Sequence, residues 1–400
     1  MKISAEAKKA LAIGSVGVVA YCLVYICRNL LSALSPQLTE AGVFNVEQLG
    51  TMSSVFFVTY AIGQLINGAI GDKVKGKYMV SMGLILASLC VISLAWVAGK
   101  PVLPYVVYGA MGFVLAMVYA PLTKLIAENN EPKYATRCIV GLAIGCDLAA
   151  PLAGVLVAVL VWRAAFVTGG MLLLIMGALL FAVFTVYEKR GMIRYGQFKP
   201  AKEGGGSLKI LLGRQIVKWT FVSMLTGIVR TAVLFWLPTY ISQHLGFAPE
   251  RASLLYTVAT TVLMSGAFLA VFLYGRMKNN LNATVLLCFG ASALCFLLVY
   301  LVRQPAVNLV FMVLAMLSSN CAACLMWNQY CPSLRDTGMV SGATGFLDFA
   351  SYMAAAISSK LFANAVGSIG WGNLILVWMG LMCVGVAVAL TRPKNKIKGE

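Results

Sequence analysis

The stretch ALAIGSVGVVAYCLVYICRNLLSALSP, residues 10–36, holds one charged side chain, Arg28, in 27 positions. As a helix it rises about 40 Å at ~1.5 Å per residue, enough to cross the ~30 Å hydrocarbon core of a bilayer. Outward from it, the same pattern returns at about 47–72, 78–98, 102–127, 137–162, 164–187, 217–244, 251–276, 281–302, 306–331, 338–364 and 370–391. Runs of this length exclude an outer-membrane barrel, whose strands need only about 10 residues of alternating polarity. The composition agrees: 60% of the 400 residues are hydrophobic, 11% are charged, and the mean hydropathy is +0.88. Too little polar surface remains for a water-soluble globule. The sequence predicts an all-α membrane protein of twelve transmembrane helices.

The formal net charge of +18 would point to a polyanion in a soluble protein, so the placement of the basic residues decides its meaning. With the N-terminus inside, four of the 31 Lys and Arg are outside: Lys100, Arg163, Arg251 and Arg303. Arg28, Arg230 and Lys360 lie within spans, and the remaining 24 border the inner face. The positive-inside rule therefore predicts a multi-pass protein of the cytoplasmic (inner) membrane with both termini cytoplasmic, and the basic excess is topology rather than a nucleic-acid site. Nearly all of the 11 cysteines fall inside apolar runs, where they act as small hydrophobes, and the Cys321/Cys324 pair has no His or acidic neighbour to make a metal site. The polar start, Met1 to Lys9, precedes a span too long for a signal-peptide core. Asn282 has the glycosylation spacing but falls on the cytoplasmic side.

The longest polar interruption, with Gly204-Gly205-Gly206, divides the spans six and six. It predicts an N-terminal bundle at 1–188, a cytoplasmic linker at 189–216 and a C-terminal bundle at 217–400. The halves repeat. Arg28 and Pro36 in the first span correspond to Arg230 and Pro238 in the seventh, since 230 − 28 and 238 − 36 both equal 202. Asp147 in the fifth corresponds to Asp348 in the eleventh at an offset of 201. A parallel repeat implies two six-helix bundles related by a pseudo-twofold axis along the membrane normal.

A charge at mid-bilayer costs at least ~2.5 kcal/mol, so each must face a partner or a water-filled cavity. Lys360 can snorkel from its helix end, and Lys124 lies toward the cytoplasmic end of its span. Asp147 and Asp348 each lie about ten residues, or ~15 Å, from their cytoplasmic starts. With Arg28 and Arg230 they form one basic and one acidic group per half, as a central anion site between two rocking bundles requires. Arginine stays charged and grips phosphate or carboxylate through two bonds at once. A permanent Arg–Asp latch between helices is the structural alternative.

The segments YICRNLLSALSPQL and LTGIVRTAVLFWLPTYIS resemble the first and seventh helices of the major facilitator superfamily, in particular its organophosphate:phosphate antiporter branch. GAIGDKVKGK, residues 68–77, is similar to that superfamily's loop between helices two and three, and PLTKLIAENNEP and the glycine-rich fifth and eleventh spans match in position. The resemblance runs the full length. It implies that Arg28 and Arg230 bind the substrate oxyanion, that Tyr25, Tyr60 and Gln64 line the site, and that Asp72 with Lys73 latches the cytoplasmic side. Where the branch's glycerol-phosphate carrier has lysine, histidine and tyrosine, this chain has Gln64, Asp147 and Gly227; Asp348 stands at a glycine and Phe349 at a tyrosine.

Two fixed cations against two carboxylates sum to about zero, whereas a site for a phosphate dianion should be positive. Either Asp147 or Asp348 is protonated during transport, which gives proton-coupled uptake, or one of them meets the cationic group of a zwitterion. The implied function is secondary active transport of a small organic anion (organophosphate, phosphonate, sugar acid or zwitterionic relative), coupled to protons or exchanged for phosphate. A transport-like substrate sensor and a drug or metabolite exporter are the alternatives. A channel would need a filter or a charged ring. An enzyme is not expected: the single histidine, His244, lies at an outer helix end, and no nucleophile–base pair or phosphate-cradling glycine loop is present. No cofactor, metal or nucleic acid is expected, the partners being the substrate, a coupling ion and the lipid bilayer. Two bundles already enclose a site, so a monomer suffices.

Overall fold

The computed structural model describes residues 4–71, 74–195, 208–334 and 340–391. Among them the chain is helical, with no strand: α1 (Ala5–Glu40), α2 (Val46–Gly71), α3 (Gly76–Val97), α4 (Leu103–Leu115), α5 (Tyr119–Asn129), α6 (Pro132–Val159), α7 (Trp162–Lys189), α8 (Leu208–Gly213), α9 (Ile216–Gly227), a π-helical turn (Ile228–Val233), α10 (Leu234–Gln243), α11 (Pro249–Leu263), α12 (Gly266–Arg276), α13 (Leu281–Leu301), α14 (Pro305–Leu325), a second π turn (Met326–Tyr330), α15 (Cys331–Ser333) and α16 (Val340–Leu390). Among the described residues eleven helical stretches are long and apolar enough to cross a membrane. The 51 residues of α16 are too many for one crossing, and Gly370, at φ 76°, bends it into two segments. The eleventh and twelfth spans of the sequence are thus two helices that meet at a glycine corner.

Local chemistry sets the helix starts. Ser4 Oγ accepts from the Ala7 amide at 3.2 Å to open α1. Asn45 and Gln48 cap α2 reciprocally, each side chain bonded to the other's backbone amide at 2.8 Å. Where a helix is interrupted inside the apolar layer, its freed carbonyl must find a donor, because lipid offers none. Between α4 and α5 the Phe113 carbonyl takes a 2.9 Å bond from the buried Asn67 amide. Between α11 and α12 the Leu263 carbonyl takes one from Asn320 at 3.3 Å.

By packing, the chain forms two units. The first comprises Met1–Pro200 together with Phe235–Thr261; the second comprises Ala201–Leu234 and Val262–Glu400. Within the first, α1 lies along α6 and α7, α2 along α4, and α3 along α7. The segment Phe235–Thr261 is held there by hydroxyls: Ser32 Oγ donates to the Phe235 carbonyl at 2.6 Å, Ser35 shares a 2.6 Å bond with Thr239, and Thr257 donates to the Pro151 carbonyl at 3.3 Å. Within the second unit α9 packs along α16, and α13 along α14 and α16. Lys218 Nζ closes the end of α16, donating to the Ala389 and Thr391 carbonyls and to Asn282 Oδ1 at 2.9–3.0 Å. A lysine at a helix C-terminus satisfies carbonyls that otherwise have no intrahelical donor. All 11 cysteines are free thiols; Cys321, buried, donates to the Gly266 carbonyl at 3.4 Å in a helix contact.

Candidate functional site

In the first unit α1 presents Tyr21, Tyr25 and Arg28 at four- and three-residue spacing, which puts them on one face. Arg28 is 9% exposed. Its Nη1 donates to the Tyr25 hydroxyl at 3.2 Å, and the Tyr21 hydroxyl donates to the same oxygen at 3.3 Å. Four rings surround its Cζ, with centroids at 4.9 Å for Tyr25, 4.9 Å for Tyr60, 5.7 Å for Phe57 and 5.8 Å for Phe56. Each ring presents the negative part of its quadrupole to the cation, an attraction of about 0.5–2 kcal/mol that grows as water is excluded. The sequence-predicted residues Arg28, Tyr25 and Tyr60 are therefore one cluster, and Gln64, half-buried, follows one turn after Tyr60 on α2.

The contact between α1 and α6 places Asp147 along the same axis. A Cβ at Gly14 would meet Cys138, and one at Gly145 would meet the Val18 carbonyl and Cys22; Ile26 packs on Ala149 and Ala153. These contacts set residue i of α1 beside about i + 124 of α6, since 138 − 14 is 124 and 149 − 26 is 123. Arg28 is thus level with about residue 152, and exposed Asp147 lies five residues, or ~7.5 Å, nearer the N-terminal end of its helix.

The second unit repeats this register. Ser223 Oγ donates to the Leu347 carbonyl at 2.7 Å, and a Cβ at Gly227 would overlap the Ser351 side chain. The offsets 347 − 223 and 351 − 227 are both 124. Half-buried Asp348 lies six residues, or ~9 Å, nearer the N-terminal end than the level of Arg230. Each half therefore carries its carboxylate one and a half turns before its arginine on parallel neighbouring helices. Gly227 is what lets the two helix backbones approach.

The surroundings of the two arginines differ. Arg230 is exposed within its unit and sits in the π turn Ile228–Val233, where the chain passes from the second unit to the first. Extra-residue turns of this kind concentrate at functional sites because they redirect side chains. Both π turns lie in the second half of the sequence; the second ends on Tyr330, whose ring stacks on Trp219 at 4.5 Å.

Away from this layer, Lys75 bonds Glu188 at 2.8 Å, and buried Lys77 pairs with the other oxygen of the same carboxylate, joining the start of α3 to the end of α7. The hydrogen bond and charge of Glu188 hold the Lys75 ammonium above its ordinary range. Burial, with the Glu188 charge beside it, pushes the Tyr195 phenol up. Asp72 and Lys73, the expected latch, lie outside the described residues. Lys124 is half-buried and Lys360 exposed. Among the described residues no three His, Cys, Asp or Glu side chains are grouped to hold a metal.

Phe56, Phe57 and Tyr108 were not singled out in the sequence. Phe56-Phe57 reads as ordinary apolar filling of a span, and only its place one turn before Tyr60 hints at a shared face. The π turn leaves no mark in composition.

The sequence pattern described as Major Facilitator Superfamily matches residues 17–359. The glycerol-3-phosphate transporter of Bacillus subtilis (strain 168) is 22% identical, over 93% of this chain and 90% of its own length. The membrane sensor protein UhpC of Escherichia coli (strain K12) is 20% identical, over 93% and 89%. Among solved structures, a bacterial homologue of the human lysosomal transporter Spinster superposes with a TM-score of 0.72 at 13% identity, covering 96% of this chain and 94% of that one.

Proposed function

The chain belongs to the Major Facilitator Superfamily, and from that premise we propose that it is a secondary active transporter of a small organic anion bearing a phosphate, phosphonate or carboxylate. The observation that carries the reading is Arg28: a nearly buried guanidinium on an interior helix face, ringed by aromatics and bonded to a tyrosine hydroxyl. Burying a cation in an apolar layer is costly, and a substrate oxyanion that arrives there meets fork-shaped donors in a low-dielectric setting. Arg230 supplies the second cation, from the other half. The similarity to a glycerol-3-phosphate transporter supports an organophosphate as the first ligand to try.

Asp147 is the coupling group in this reading, with Asp348 as its counterpart. Lying about one and a half turns from Arg28 along the helix pair, its carboxylate feels that cation; when a substrate anion neutralises the arginine, its proton affinity rises. Anion and proton then load together, and each favours the other. Exchange for phosphate is the alternative coupling. The basic border residues support the cytoplasmic membrane, with both termini inside. The chain works as a monomer, with bundles at 1–188 and 217–400 joined by 189–216, and Asp72 and Lys73 latch the cytoplasmic side.

The similarity to a membrane sensor protein favours one second reading, in which substrate binds without net transport and signals to a partner. Proteoliposome uptake separates the two. Purified protein should accumulate at least one of sn-glycerol 3-phosphate, a phosphonate, glucuronate or a zwitterionic phosphate when an inward pH gradient or internal phosphate is present. Binding of a panel member by thermal shift without uptake under either condition establishes the sensor, and binding of none removes the organic-anion reading.

A further inference from the structure

Phe56 meets Phe57, Tyr60, Tyr108 and the Arg28 guanidinium yet is closed off from solvent, at 1% exposure. Its ring stacks on Tyr60 (5.9 Å, 12°), meets Phe57 edge-on (5.6 Å, 80°), lies 4.9 Å from the Tyr108 ring and 5.8 Å from Arg28 Cζ. Tyr108, from α4 and 2% exposed, also donates its hydroxyl to the Arg28 backbone carbonyl at 3.5 Å. The helix carrying these rings has no slack. A Cβ at Gly112 of α4 would come within 2.6 Å of the Phe56 carbonyl oxygen and the Thr59 hydroxyl, so α2 and α4 are in backbone contact at the level of Phe56.

An arginine side chain has considerable rotamer entropy to lose, and a ligand that must immobilise it binds more weakly by that cost. We propose that Phe56, backed by Tyr108, is the positioning residue for anion binding: it holds the Arg28 guanidinium in one orientation before the substrate arrives, without itself touching substrate. The inference rests on the reading of Arg28 as the oxyanion anchor. It makes an apolar, fully enclosed ring on α2 a determinant of anion affinity.

The test is Phe56→Met, which keeps volume and burial and removes the π face, with Phe56→Tyr as the conservative variant and Phe289→Met, a buried ring of the second unit, as control. Two readouts are taken on the full-length protein in detergent. The first needs no ligand: side-chain Nε–H resonances of 15N-arginine-labelled protein, with the Arg28 signal assigned by its loss in Arg28→Lys. Phe56→Met should move that resonance toward the position of a disordered arginine, while Phe56→Tyr and Phe289→Met leave it in place. The second is the dissociation constant for sn-glycerol 3-phosphate and inorganic phosphate, expected to rise about five- to tenfold in Phe56→Met with little change in melting temperature. In an Arg28→Lys background the same substitution should cost nothing further, because the group it positions is gone. An unmoved Arg28 resonance, or an equal affinity loss in both backgrounds, overturns the proposal. Should wild-type protein bind neither probe, the organophosphate reading fails while the resonance alone decides whether Phe56 positions Arg28.

Discussion

The two arginines occupy matching places in a repeated sequence frame and in the same helix-pair register, but their environments have diverged. Arg28 stands on a regular α-helix, nearly buried among four rings. Arg230 stands exposed on a π turn where the chain leaves one packed unit for the other. Preorganisation lowers the cost of binding, whereas a charged side chain on an irregular turn can follow a backbone rearrangement. The difference teaches that internal symmetry fixes where charges lie without fixing what they do. If both arginines bind the anion, Arg28 should act mainly on affinity and Arg230 mainly on the transport step.

Substitution of the arginines themselves should separate the two environments most strongly. Arg28→Lys should weaken organic-anion binding about 100-fold, since a point charge loses the bidentate grip and does not fill the aromatic box. Arg230→Lys should abolish uptake with a smaller change in the dissociation constant; equal losses of affinity at the two sites would erase the distinction. Next in size, Asp147→Asn should remove accumulation driven by a pH gradient while substrate counterflow, which needs no net proton movement, persists. Unchanged gradient-driven accumulation in that variant, or wild-type uptake that requires internal phosphate and ignores pH, returns the protein to the antiport reading.

Two smaller effects test the scaffold. Gly112→Ala and Gly227→Ala each force a methyl into a backbone contact and should destabilise their own half by about 1–3 kcal/mol, read as a lowered unfolding midpoint. Gly112→Ala should also weaken anion binding, because it displaces Phe56. The smallest effect belongs to His244, in the segment Phe235–Thr261 that packs with the first unit. Partial desolvation of this exposed imidazole, beside the Tyr240 ring, holds it below the ordinary 6.5. The unfolded chain then binds the extra proton more readily, so the contribution to stability is present above pH 6.5 and is lost as pH falls through the lower folded value. His244→Gln should flatten that part of the pH–stability profile.

Most of the fold was legible because it depends on length and hydropathy, which local sequence carries. Arg28, Arg230, Asp147 and Asp348 were legible because a charge inside an apolar run demands an explanation, and because the repeat paired them. Tyr25 and Tyr60 came from resemblance, and the structure brings both onto Arg28. Phe56, Phe57 and Tyr108 were invisible for a physical reason: an aromatic residue in a membrane span has the same sequence signature whether it faces lipid, a neighbouring helix or a cation. The π turn around Arg230 and the Gly370 corner arise from packing and from a single backbone angle, so composition does not report them. The last two spans meet at that corner as two helices, since Gly370 turns the chain without opening a loop.

In the proposed transporter Arg28 is the preset anchor for a substrate oxyanion. That role is tested most directly by a cryo-EM structure of the full-length protein saturated with the tightest-binding member of the organophosphate, phosphonate and sugar-acid panel. Phosphoryl or carboxylate oxygens should lie about 2.7–2.9 Å from the Arg28 guanidinium nitrogens, with the Phe56 and Tyr60 rings in their ligand-free places. A ligand bound with its oxyanion away from Arg28, or an Arg28 side chain that must leave its aromatic box to reach it, would contradict it.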